Sequence, residues 1–213
     1  MSIICQNIFF AYANIKPNSL IFENFSFEMN NNEKKCLYGG TGSGKTTLFN
    51  ILFGELKIRK GKILIDNTLL QKEKTLFKKV AFLFQEPEKQ FVFPSIQDEY
   101  KFLTQQKNSI AITQNIKELC DVFNVNIEVF FGRDIYELSF GELRLLQIIF
   151  TFSAATEYLI LDEPADHLEN VYRLKLFDLI KSTKNRGILI LTKYPELYET
   201  VADTSIPINA RYE

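Results

Sequence analysis

Hydrophobic spacing changes period several times along the chain. Residues 3–12 are mostly apolar, and residues 20–29 alternate, with Phe22, Phe25 and Phe27 set against Glu23, Ser26 and Glu28. Both patterns predict strands. Residues 34–38 predict a short strand entering a glycine-rich turn. Residues 45–55 predict a helix with Leu48, Ile51 and Leu52 on one face. Residues 61–66 and 80–84 read as further strands. From Pro94 the pattern turns helical. Ser95 and Asp98 have capping-box spacing ahead of Tyr100, Phe102 and Leu103. Ile116, Leu119, Cys120 and Phe123 follow the i, i+3, i+4, i+7 spacing of one helix face. Residues 141–155 continue as a helix. Strand and helix then alternate: 158–161 strand, 168–182 helix, 187–192 strand, 195–201 helix. Strand–helix alternation on both sides of a helical block predicts an α/β fold with a mostly parallel sheet and a helical insertion.

Composition narrows the class. A chain of 213 residues suits one large domain or a core with an inserted subdomain. Lys plus Arg number 25 and Asp plus Glu 26, for a net charge of −1, which argues against a broadly basic nucleic-acid binder. Three widely spaced cysteines, Cys5, Cys36 and Cys120, exclude a disulfide scaffold and favour a reducing compartment. A single histidine excludes a multi-histidine metal site. The most apolar region, residues 143–161, is interrupted by Gln147, Ser153, Thr156 and Glu157, so no membrane span is expected. No basic head with an apolar run opens the chain, so no signal peptide is expected and the cytoplasm is the expected location.

The glycines carry the first chemistry. Gly39, Gly40, Thr41, Gly42, Ser43, Gly44, Lys45 and Thr46 fit G-x-x-x-x-G-K-[ST] in full, between a predicted strand and a predicted helix. Glycine admits positive φ and lets backbone N–H groups close around phosphate oxygens. The helix opening at Lys45 directs its partial positive charge at the anion. In such a loop the Lys45 ammonium reaches the β/γ oxygens and the Thr46 hydroxyl can ligate Mg²⁺, with Thr47 next in line for the nucleotide.

Downstream segments give the phosphate loop a family. Leu138, Ser139, Phe140, Gly141 and Glu142 resemble the LSGGQ signature of ATP-binding-cassette (ABC) ATPases, and residues 158–164, ending Asp162, Glu163, Pro164, resemble their Walker B strand. Gln85 sits at the Q-loop position and Tyr12 at the A-loop aromatic. The resemblance covers essentially the whole chain and carries a set of expectations. The fold is a P-loop NTPase ABC-ATPase core, a mostly parallel sheet with an antiparallel β subdomain. Residues 1–93 and 156–213 form this ATP-binding core, and residues 94–155 a helical signature subdomain. The cofactors are ATP and Mg²⁺. Tyr12 stacks on adenine, unless it is simply a core aromatic. Asp162 holds Mg²⁺ directly or through water, Glu163 polarises the attacking water, and Gln85 touches metal and water. Two such domains pack head to tail, so Ser139, Gly141 and Glu142 cap ATP held by the partner.

Two departures stand out. After residues 188–192 the family places a switch histidine, and here stands Lys193. A lysine can offer a cation to phosphate but cannot act as a neutral imidazole. The expectation is a slow site on this subunit and a working heterodimer, with Lys193 either serving the phosphate or lying idle on the surface. The D-loop, residues 165–169, ends Leu-Glu rather than Leu-Asp, and His167 within it reads as a surface residue or an interface one.

The run from Gln85 through Gln90, Phe91 and Val92 looks like the FQ-x-P-x-x-Q-(F/L)-V segment of ATPases in energy-coupling-factor importers of vitamins and transition-metal ions, with Gln90 as the distinguishing residue. Phe91 and Phe93 read equally as core or as a surface for a membrane subunit. The resemblance thus implies an importer ATPase peripheral on the inner face of the membrane, held there by a transmembrane partner. The alternatives are a degenerate clamp whose partner does most hydrolysis, or an ATPase of another ABC class.

Overall fold

In a computed structural model the described residues are 1–12, 20–72, 76–105 and 109–208, Ser109 by its backbone; the last five residues of the expected core segment lie outside them. The chain opens with β1 (Ser2–Phe10), β2 (Phe22–Asn30) and β3 (Lys34–Tyr38). Next come α1 (Lys45–Phe53), β4 (Lys60–Ile65), β5 (Thr68–Leu69), the one-turn α2 (Leu76–Lys79) and β6 (Val80–Leu83). Three helices follow: α3 (Ile96–Thr104), α4 (Ser109–Phe123) and α5 (Phe140–Ser153). The chain then alternates through β7 (Tyr158–Asp162), α6 (Asn170–Ser182), β8 (Gly187–Thr192) and β9 (Thr204–Pro207).

The strands form two sheets. One is antiparallel, in the order β2-β1-β4-β5. The other is parallel, in the order β6-β7-β8-β3-β9. Every residue of β7 and β8 is buried. Along β7, Tyr158 and Ile160 join the core with α1 and the antiparallel sheet, while Leu159 and Leu161 join the core with α4, α5 and α6. Burial on both faces is why these strands read as continuous apolar runs. Each fully buried Leu or Ile contributes roughly 1.5–3 kcal/mol over an exposed one.

Parallel register sets the strand ends in a row. Leu83 lies opposite Leu161, Asp162 opposite Leu191, and Tyr38 opposite Thr192. Loops leaving these ends share the C-terminal edge of the sheet, where open α/β sheets hold their ligands.

The α/β class and the helical insertion match the sequence pattern, with local corrections. The expected helix over 195–201 is a 3₁₀ turn, Pro195–Tyr198, and β9 follows it, pairing with β3. β9 is a polar, largely exposed edge strand, so it lacks the apolar alternation that marks a strand. The helix expected from residue 168 begins at Asn170, because Leu168 is buried in the turn before it. The strand expected over 3–12 ends at Phe10, which leaves Tyr12 outside it. Ser95 caps α3 one way only, accepting from Asp98 N at 3.4 Å. The shorter Asp98 carboxylate pairs with Lys101 instead, at 3.4 Å. Cys5, Cys36 and Cys120 are buried free thiols. Among the described residues no helix is long and apolar enough to cross a membrane.

Candidate functional site

β3 ends at Tyr38 and the chain turns through the glycines into α1. Gly44 has φ +94°, and a Cβ there would lie 3.0 Å from both Ile21 and Phe22, so both conformation and space demand glycine. Lys45 is buried, and its Nζ donates to the carbonyls of Gly39 at 2.6 Å and Gly40 at 3.1 Å. The same Nζ lies 3.6 Å from Glu163 Oε1. Tyr12 OH and Thr47 Oγ1 share a hydrogen bond of 3.1 Å. The Tyr12 ring meets Phe10 edge-on, centroids 5.0 Å apart. Tyr12, Gly42, Gly44, Lys45, Thr46 and Thr47 line one cavity of about 260 Å³. Thr41 is exposed on the loop, and Ser43 Oγ is buried with no hydrogen-bond partner among the described residues.

Asp162 ends β7 and Glu163 follows it, 1% and 3% exposed. Thr46 Oγ1 donates to Asp162 Oδ2 at 3.4 Å, whereas Asp162 Oδ1 is buried and unpartnered among the described residues. Burial pushes the Asp162 carboxyl up to about 7; the Glu163 charge adds to the rise, and Lys45, Thr46 and Arg144 oppose it. An orphaned carboxylate oxygen beside a hydroxyl suits a hard, oxygen-preferring cation. Mg²⁺ takes one or two protein oxygens and leaves the rest to phosphate and water. Glu163 Oε2 accepts from Thr192 Oγ1 at 3.0 Å and from Lys193 N at 3.2 Å. Thr192 is a contact that sequence reasoning missed; its one signal is a hydroxyl ending an otherwise apolar strand.

Lys193 makes two separate sets of contacts. It meets Glu163 through its backbone N–H, while its Nζ lies 3.3 Å from Asp166 Oδ2 and 4.9 Å over the Tyr194 ring. The hydrogen bond to Asp166 raises the Lys193 pKa. Gln85 is exposed in the turn two residues beyond β6, which ends at Leu83 and not at residue 84. Gln90 holds the segment: its Oε1 accepts from Phe84 N at 3.2 Å and from Gln147 Nε2 at 2.8 Å, and its Nε2 donates to Thr151 Oγ1 at 2.8 Å. Phe91 packs against the core and onto Phe150, and Phe93 meets Phe102.

Ser139 is the N-cap of α5, in a reciprocal capping box with Glu142. Glu142 N donates to Ser139 Oγ at 3.3 Å, and Ser139 N donates to Glu142 Oε2 at 2.8 Å. The Ser139 hydroxyl also donates to Glu142 Oε2, at 2.8 Å. These two Ser139 bonds, with Arg133 at 3.3 Å, hold Glu142 below the usual carboxylate range. The half-exposed Phe140 lies against His167, ring centroids 5.1 Å apart, and a Cβ on Gly141 would sit 3.6 Å from the His167 carbonyl. The structure thus joins Tyr12, Lys45, Thr46, Thr47, Asp162 and Glu163 at the sheet edge. Ser139, Gly141 and Glu142 form a second group at the start of α5.

The family described as ABC transporter matches residues 22–166. The energy-coupling factor transporter ATP-binding protein EcfA1 of Fusobacterium nucleatum is 32% identical over 191 residues, 87% of this chain and 70% of that protein. The structure of cbiO1 from Clostridium perfringens, part of the ABC transporter complex cbiONQ, has a TM-score of 0.74 at 20% identity, covering 97% of this chain and 84% of that one. The dimeric post-hydrolysis structure of the ATP-binding cassette MJ0796, bound to ADP and Pi, has a TM-score of 0.80 at 18% identity, covering 97% and 94%. At these identities the two structures speak for the fold.

Proposed function

The chain belongs to the ABC transporter ATP-binding family, and from that premise we propose that it is the ATP-hydrolysing subunit of a membrane importer of the energy-coupling-factor type. One observation carries the ATPase reading: Lys45, Thr46, Asp162 and Glu163 converge on a single sheet edge, with Thr46 Oγ1 3.4 Å from Asp162 Oδ2 and Lys45 Nζ 3.6 Å from Glu163 Oε1. The subclass rests on the Gln85-to-Val92 segment and on relatives named for energy-coupling-factor transport. The transported solute is then a vitamin or a transition-metal ion. The subunit works as one of two cassettes, on the cytoplasmic face of a transmembrane partner.

In this reading the phosphates replace Gly39 and Gly40 as partners of the Lys45 ammonium, each charge-assisted bond worth about 1.5–3 kcal/mol. Thr46 and Asp162 would hold Mg²⁺, which when bound neutralises phosphate charge. Tyr12 offers its ring to adenine, with its hydroxyl anchored on Thr47. Thr192 and the Lys193 N–H fix Glu163 Oε2, and release of Lys45 frees Oε1 to take a proton from the attacking water. Phosphate release by the purified chain tests this. Glu163→Gln should cut turnover by about 10²-fold or more while ATP stays bound. Equal turnover in both forms would remove Glu163 from the chemistry.

The engagement of Lys193 Nζ with Asp166 supports a second reading. Its ammonium is committed to a carboxylate, so this subunit's own site is slow. The chain then acts as an ATP clamp in a heterodimer whose partner does most hydrolysis. Turnover measured with and without the cognate cassette separates the two readings.

A further inference from the structure

The signature helix α5 carries an arginine with no exposed surface at all, Arg144 at 0%. A buried guanidinium is costly unless its donors are used. Here both terminal nitrogens are used, mostly on the backbone of the catalytic edge, while Nε is buried with no partner among the described residues. Nη1 donates to the Phe84 carbonyl at 2.6 Å and to Gln147 Oε1 at 2.7 Å. Nη2 donates to the Asp162 carbonyl at 3.2 Å and to the Glu163 carbonyl. Gln147 Nε2 donates to the same Phe84 carbonyl at 2.8 Å and to Gln90 Oε1 at 2.8 Å. One polar network therefore ties α5 to the residue before Gln85 and to both carboxylate-bearing residues at the end of β7.

Glu163 needs such a tie. Its φ is +46°, left-handed backbone that a residue with a side chain adopts only when its surroundings impose it. Glu163 N donates to Leu191 O at 2.8 Å, and the Glu163 carbonyl takes Asp166 N at 3.1 Å along with Arg144. Arg144 is the side chain that joins this strained peptide to the helix whose first turn holds Ser139 and Gly141.

We propose that Arg144 is a positioning residue that locks the left-handed backbone of Glu163 and the Phe84 carbonyl to the signature helix. A load on the start of α5, such as a partner's nucleotide, is thereby felt at this chain's own catalytic carboxylate. The proposal rests on the ATPase reading above. A second arginine supplies the control. Arg186 donates to the Phe152 carbonyl at 2.9 Å and to Thr156 Oγ1 at 2.8 Å, joining the end of α5 to the turn before β7 at the other end of that strand. Burial lowers the pKa of both arginines to about 10.

The full chain, as wild type, Arg144→Lys and Arg186→Lys, is compared in three measurements. For Arg144→Lys we expect kcat for ATP to fall about tenfold or more, with KM and ATP affinity within about threefold of wild type. Amide exchange across residues 163–166 in the nucleotide-free chain should speed up about tenfold or more. Arg186→Lys should change thermal stability comparably and leave kcat and this exchange within about twofold. Equal kcat losses in the two variants, or unchanged exchange at 163–166 in Arg144→Lys, would overturn the proposal. If the wild type hydrolyses no ATP, the ATPase reading fails on its own and the exchange measurement decides the role of Arg144. Should Arg144→Lys not fold, Gln147→Leu, which removes one of the two acceptors of Nη1 and the second donor to the Phe84 carbonyl, should move exchange and kcat the same way by about threefold or more.

Discussion

Asp162 shows how a single residue reports the state of the site. Its pKa in the folded chain is about 7, pushed above the ordinary carboxylate value chiefly by burial. The folded state therefore holds this proton more tightly than the unfolded state does. The associated stabilisation is complete below about pH 4 and is lost as pH rises through about 7. Asp162→Asn should thus raise the melting temperature of the nucleotide-free chain at pH 8, by roughly 4–8 °C for about 2 kcal/mol. The gain should shrink toward zero as pH falls to about 4; a constant gain would show that Asp162 ionisation is not its source. Lys193 is the other informative residue. Lys193→His breaks the ion pair to Asp166 but keeps the backbone N–H that holds Glu163. ATP affinity should stay within a few-fold and turnover should rise. If turnover does not change, and the wild-type chain alone works at about 1 s⁻¹ or faster, Lys193 is a competent switch residue.

At the scale of elements, the start of α5 holds two demands on one hydroxyl. The Ser139 hydroxyl donates to Glu142, and in the proposed head-to-tail pair the same hydrogen would be needed for a partner's phosphate. The Glu142 charge, only partly offset by the solvent-screened Arg133 pair at 3.3 Å, would face that phosphate in such a pair. Glutamine at this position keeps the reciprocal cap without the charge. In a Glu163→Gln background that retains ATP, Glu142→Gln should therefore favour the ATP-bound dimer about threefold or more by sedimentation, with the melting temperature of the monomer little changed. A weaker dimer would mean that the Glu142 carboxylate itself contributes to the interface.

For the molecule as a whole, nucleotide binding and folding are linked. The site draws its parts from β3, α1, β7 and β8, so it exists only when the parallel sheet is closed. A ligand that binds only the folded state at about 100 times its Kd adds about 2.7 kcal/mol. MgATP should accordingly raise the melting temperature by roughly 5–11 °C. Lys45→Ala should lose most of that increment at the same ATP concentration, because it removes the cation proposed to meet the phosphates. A full shift in Lys45→Ala would place nucleotide elsewhere on the molecule.

The chain itself dictates the strand–helix order, the apolar strands β7 and β8, and the phosphate loop. These are local properties: side-chain period, glycine conformational freedom and helix-start chemistry all act within a few residues. As candidates, Lys45, Thr46, Asp162 and Glu163 were legible for the same reason, as short runs of fixed chemistry at a helix start and a strand end. β9 was not, because an exposed edge strand needs no apolar alternation. Nor were Thr192 under Glu163, the turn of Lys193 toward Asp166, or the reach of Arg144 to three carbonyls. Each is a polar contact between residues 18 to 60 positions apart in the network, or across neighbouring strands. A polar residue in an apolar run announces only that it must find a partner. Which partner it finds is decided by the register of the parallel sheet and by the way α5 packs against the strands.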